Sequence, residues 1–83
     1  MPEPEAQKFV KNVVSLLKQQ RESKGWSQRS LASRAGLDPK TVSLIERGDR
    51  SPTLFTLSLL SAAMGVRLSK VLQDAEVDTE PNS

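Results

Sequence analysis

Residues Gln28 to Gly48 read QRSLASRAGLDPKTVSLIERG, and the fold turns on this stretch. Leu31 and Ala32 form the inner face of a short helix that runs into Ala35-Gly36-Leu37. Gly36 supplies the positive φ that a Cβ would make costly. Asp38 is placed to cap a second helix, with Pro39 at its first position, where a missing N–H costs nothing. Gly48 stops it. Two short helices over so tight a turn make a helix-turn-helix pattern, in which the second helix is offered to the major groove of DNA.

The flanking sequence supplies a body for this pair. Ala6, Phe9, Val10, Val13, Val14 and Leu17 recur at three- and four-residue spacing and predict a helix over about 5–23, closed by Gly25. Ser27 is a good N-cap for the helix that opens at Gln28. Thr53 caps a fourth helix over 54–64, closed by Gly65, whose inner stripe is expected to be Leu54, Leu57, Leu60 and Met64. A fifth, over about 68–75, carries Leu68, Val71 and Leu72. With no strand signal, the fold class is all-α: a five-helix bundle containing a helix-turn-helix. Residues 1–4, with Pro2 and Pro4, are expected to be a flexible arm, 5–75 the DNA-binding and dimerisation domain, and 76–83 an acidic disordered tail.

Composition excludes more than it proposes. The 83 residues suffice for one small domain of modest stability. There is no cysteine and no histidine, so the usual thiolate and imidazole metal ligands are missing, as is the commonest general base. No paired-carboxylate or Gly-rich phosphate motif appears either. An enzyme is not expected, nor a metal or other cofactor. No apolar run approaches the ~18 residues of a membrane span, and no signal-peptide pattern opens the chain. A cytoplasmic protein without a membrane partner is the expectation.

Net charge is only +2, but it is unevenly placed. Residues 8–50 hold ten basic residues against four acidic ones, a net of +6, while both ends are acidic. A basic body suits a polyanion that touches one side.

The chain resembles the phage-repressor-like (Xre/Cro type) helix-turn-helix proteins. The residues that carry the likeness are Gly25-Trp26-Ser27-Gln28, Leu31-Ala32, Ala35-Gly36-Leu37, Val42-Ser43, Ile45-Glu46-Arg47-Gly48, Ser51-Pro52-Thr53, Leu57 and Gly65-Val66. The match spans about Leu17 to Leu72. It implies a five-helix domain, usually dimeric, of bacterial or phage origin, that binds operator DNA and regulates transcription. Small stand-alone relatives include phage repressors, controllers of restriction–modification genes and antitoxins, and the sequence does not choose among them.

By the resemblance, Gln28 binds a DNA phosphate at the start of its helix, where free N–H groups already favour an anion; Ser27 stands beside it. Pro39, Lys40, Thr41, Ser43 and Leu44 occupy the positions that reach base edges in relatives. Lys40 suits guanine O6 and N7, or alternatively a phosphate. Pro39 and Leu44 offer only apolar contact, so the base code should be moderate, with affinity leaning on phosphates and DNA shape. Arg47 and Arg50 are the leading phosphate-binding cations, assisted by backbone N–H groups around Thr53. Arg29 and Arg34 are weaker candidates. Arg21 and Glu46 should form a structural ion pair that locks the reading helix to the body, and Trp26 should be core against the first helix.

The fourth helix departs from the family. Phe55, Leu59 and Ala62 form a second apolar stripe where relatives usually carry polar groups, and Ser61 replaces a buried alanine. A second apolar stripe implies another protein surface. The expected partner is a second copy, giving a homodimer on a near-palindromic operator. RNA polymerase or another protein stays open as a further partner. The competing reading is a helical protein-interaction module of the same fold, for example an antitoxin-like partner of another protein.

Overall fold

Five helices follow one another in the computed structural model, which describes residues 2–77 (the side chain of Val77 excepted): α1 (Glu3–Ser23), α2 (Gln28–Ala35), α3 (Pro39–Glu46), α4 (Leu54–Met64) and α5 (Leu68–Val77). Among these residues there is no strand.

Local chemistry sets most of the boundaries. Ser27, Asp38 and Thr53 each accept a backbone N–H with the side-chain oxygen, from Ser30, Lys40 and Thr56 respectively. Each satisfies one of the donors a helix start leaves open. Gly36 sits at φ 72°, and a Cβ built there would meet nothing within 4 Å. Its need for glycine is therefore one of backbone conformation, not of space.

Two boundaries differ from the sequence expectation. α1 begins at Glu3 rather than 5, so residues 3 and 4 are helical instead of part of an arm. Pro4 falls in the first turn, where proline lacks no needed bond, and Glu3 and Glu5 suit the positive end of the helix dipole. At the other end α5 continues through Glu76 and Val77, the first two residues of the expected tail. The remainder of that tail, 78–83, lies outside the described residues.

The core joins all five helices. Val13 and Leu17 of α1 meet Leu31, Ala32 and Ala35 of α2, Val42 of α3, Leu60 and Met64 of α4, and Val71 and Ala75 of α5. α2 packs on both α3 and α4, while α1 runs along α5. Ala32 is fully buried, which fits a close passage of α3 over α2. Leu31, Val13 and Val42 are the largest side chains wholly withdrawn from water. Each such burial contributes about 1.5–3 kcal/mol, so the loss of one would matter to a domain of this size.

α4 sorts its apolar residues differently from the two expected stripes. Leu54, assigned to the inner stripe, is 67% exposed. Leu59, assigned to a free outer stripe with Phe55 and Ala62, is half-buried and packs against the core. Leu54 is the first residue of α4, whereas Leu59 lies in its middle, next to the buried Leu60. Ser61 is buried, and its hydroxyl donates to the Leu57 and Ser58 carbonyls at 2.9 and 3.2 Å. That bond removes the penalty an unpaired buried hydroxyl would carry. Among the described residues no single helix is long and apolar enough to cross a membrane.

Candidate nucleic-acid interface

The helix-turn-helix is held in place by one buried charge network. Arg21, at the end of α1, meets Glu46, at the end of α3, through Nε to Oε2 at 2.8 Å and Nη2 to Oε1 at 2.9 Å. Its remaining terminal nitrogen, Nη1, donates to the Trp26 carbonyl at 2.7 Å. Only 11% of the Arg21 side chain and 7% of the Glu46 side chain reach solvent. The planar guanidinium fork suits such two-point pairing, and lysine could not replace it. The hydrogen bond to Glu46 is the main cause that raises the Arg21 pKa, against an opposing effect of burial. The guanidinium therefore stays charged.

Gln28 joins the same network, which the sequence did not reveal. Its Nε2 donates to Glu46 Oε1 at 2.9 Å. The amide nitrogen must be the atom that faces the carboxylate, since the amide oxygen would be repelled. One Nε2 hydrogen is used there, and the second remains for another acceptor. α2's first residue is thereby tied to α3's last. A glutamine eighteen residues before a glutamate carries no local signal; only the tertiary approach of the two helix ends brings them together.

α3 turns Val42 and Ile45 into the core. None of the five expected base-reading residues is buried: Lys40 is exposed, and Pro39, Thr41, Ser43 and Leu44 are part-exposed. Arg47 and Arg50 follow α3 and are exposed. Among the described residues neither Lys40 nor Arg50 has an ion-pair partner, whereas Arg47 Nη2 lies 3.0 Å from Asp49 Oδ2. Ser27 and Thr53 both serve as caps, and Thr53 Oγ1 also donates to Thr56 Oγ1 at 2.9 Å. The Thr53 hydroxyl thus both accepts and donates within the protein, whereas Ser27 only accepts and keeps its O–H, beside the helix-start N–H groups, for an anion.

Trp26 is half-buried and packs against the core, as the sequence suggested. Its ring also carries two cations, the Arg34 guanidinium at 4.1 Å and the Lys24 ammonium at 5.4 Å from the centroid. Arg34, a weak phosphate candidate from its position, is stacked on the indole instead. Among the described residues no group of three or more His, Cys, Asp or Glu side chains is placed to hold a metal ion.

A family model described as helix-turn-helix matches residues 17–71. The chain belongs to the Xre/lambda-repressor-like helix-turn-helix family. It is 38% identical over 61 residues to the control protein C.MunI of a Mycoplasma species, covering 74% of this chain and 82% of that one. It is 41% identical over 46 residues to the uncharacterized HTH-type transcriptional regulator y4dJ of Sinorhizobium fredii, covering 55% of this chain and 60% of that one. A hypothetical transcription factor of Neisseria meningitidis is 40% identical over 52 residues, which are 63% of this chain and 49% of the relative. The match begins within α1 and ends in α5, so it takes in the whole Arg21–Glu46–Gln28 network. A helix-turn-helix protein of this family is a DNA-binding regulator and not an enzyme.

Proposed function

We propose that the protein regulates transcription by binding a specific double-stranded DNA sequence as a homodimer, with α3 in the major groove of a near-palindromic operator. The observation that carries this is the division of α3 into two faces. Val42 and Ile45 are buried, while Lys40 stands exposed and the neighbouring side chains stay open to a ligand. A helix locked at its end by Arg21 and Glu46, yet open on the other side, is what insertion into a groove requires.

Pro39, Lys40, Thr41, Ser43 and Leu44 read base edges in this proposal. Ser27, Gln28, Arg47, Arg50 and Thr53 hold phosphates, with side chains or with helix-start N–H groups. The free Nε2 hydrogen of Gln28 reaches the backbone while its partner hydrogen keeps Glu46. The second copy docks on α4 through Phe55 and Ala62. Leu54, at 67% exposed, joins Phe55 at 71%, and Leu59 supports them from the core side. Two-fold symmetry then sets the two reading helices about 34 Å apart, one turn of DNA. The relative named a control protein agrees with a regulatory role.

The exposed Leu54–Phe55 pair also favours a second reading, a module whose main partner is another protein. Selection from a random-sequence duplex library at two salt concentrations separates the two. Enrichment of a palindrome supports the regulator. Weak binding with no enriched sequence overturns it in favour of the module.

A further inference from the structure

The end of α3 breaks a pattern that the ends of α1, α2 and α4 keep. α1, α2, α3 and α4 all close with the same two hydrogen bonds: a glycine N–H reaches back three residues, and the next N–H reaches back five. In α1, α2 and α4 the residue after that glycine is Trp26, Leu37 or Val66, and each packs against the core. After α3 it is Asp49, which is exposed. Only its two arginine neighbours favour a carboxylate there. It sits at the negative end of the helix dipole, between Arg47 and Arg50, on the basic side of the molecule.

What Asp49 does have is Arg47. The Asp49 N–H bonds the Leu44 carbonyl at 2.9 Å and the Gly48 N–H bonds Ile45 at 3.0 Å, so the backbone fixes the two residues on either side of one tight turn. Gly48 takes φ 82° to make that turn. The side chains then meet at 3.0 Å. Both are more than half exposed, 61% and 57%, so the pair adds little to stability. Its consequence lies with a ligand that wants the same guanidinium.

We propose that Asp49 is an internal competitor for Arg47, holding in the free protein the cation that a DNA phosphate takes in the complex. The inference rests on the DNA-binding reading above. A neutral Arg47–Asp49 pair releases no counterion, so it contributes nothing to loose, sequence-independent association. A phosphate brought close by a seated α3 makes a shorter, better-shielded bond and displaces the carboxylate. Asp49 thereby lowers affinity for DNA: by the worth of the pair where a phosphate displaces it, and by the forgone Arg47 contact where none does.

The test is a thermodynamic cycle on a duplex of random sequence, with Asp49→Asn made in the wild-type and in the Arg47→Gln background. In the wild type, Asp49→Asn should raise affinity about three- to tenfold near 0.1 M salt and steepen the salt slope by about one unit. In the Arg47→Gln background the gain should shrink to less than about twofold, because no pair remains to break. Equal gains in both backgrounds would mean ordinary repulsion of DNA by a nearby carboxylate, and no gain would mean no competition; either overturns the proposal. Thermal unfolding of each variant, expected to match its parent, guards against a folding effect. If the wild type binds no duplex even at low salt, the DNA reading itself fails, which is distinct from binding that ignores position 49.

Discussion

The Arg21 guanidinium lies edge-on to the Glu46 carboxylate, with Nε and Nη2 each on its own oxygen at 2.8 and 2.9 Å. The bond ties the end of α1 to the end of α3 across twenty-five residues of chain. Removing either partner leaves a nearly buried charge alone, and Arg21→Ala or Glu46→Ala should each cost about 3–5 kcal/mol of stability. The double variant should cost far less than the sum, since neither charge is then stranded. Urea unfolding of the cycle measures this, and strict additivity would remove the pair from the architecture. Because the Arg21 pKa is raised, its contribution is complete below the unfolded value and fades only at strongly alkaline pH.

Gln28 completes the same junction. Gln28→Ala removes one donor from Glu46 Oε1 and should cost about 1.5 kcal/mol. Gln28→Glu should cost more, because it sets a second carboxylate against the first. Denaturant midpoints give the order directly. A glutamate variant as stable as wild type would show that the 2.9 Å bond does not persist in solution.

Arg50 follows α3 without an ion-pair partner among the described residues. Arg50→Gln should weaken binding to every duplex by a similar factor and flatten the salt slope by about one unit. Arg47→Gln should do so on the operator, where a phosphate displaces Asp49, and far less on arbitrary duplex, where the pair persists. A slope on the operator that stays constant takes the substituted arginine out of the phosphate set.

Lys40 is the exposed cation of the reading helix. Lys40→Gln should change the preferred base at one operator position, with a discrimination loss of about 1–3 kcal/mol. Competitive binding of single-base operator variants reads this out. A uniform loss across all variants would assign Lys40 to a phosphate, the alternative left open by its chemistry.

Phe55 exposes 71% of its surface on a helix whose other large side chains turn inward, Leu54 excepted. Phe55→Glu should yield monomers in sedimentation and abolish cooperative operator binding, with little change in monomer stability. A dimer that survives the substitution must be joined elsewhere.

The caps and stops were legible because their causes are local. Ser27, Asp38 and Thr53 accept N–H groups two or three residues ahead, and Gly36 and Gly48 answer to their own φ. The start of α1 was misplaced by two residues, since Pro4 reads as a break but is harmless in a first turn. α4 misled for a different reason. Almost every position in LFTLSLLSAAM is small or apolar, so periodicity cannot say which side faces the core. Packing against the other helices decided it, leaving Leu54 exposed and drawing Leu59 against the core.

The candidate site divides in the same way. Arg21–Glu46 was expected from resemblance and is present in the fold; the bond from Gln28 and the stacking of Arg34 on Trp26 were not expected. Spacing within a helix reports neighbours a turn or two apart, whereas the Gln28–Glu46 bond joins the ends of two helices and Trp26 lies in the connection before the helix that carries Arg34.

Alone, the order of residues determined five helices, the caps of α2, α3 and α4 and the pairing of α2 with α3, because hydrogen bonds and apolar faces within each segment suffice for that. The tertiary structure decided which apolar side chains of α4 stay in water, and it gathered Gln28 and Arg21 around one carboxylate. Such outcomes depend on how whole helices pack against each other, and burial is a property of that packing rather than of any single segment.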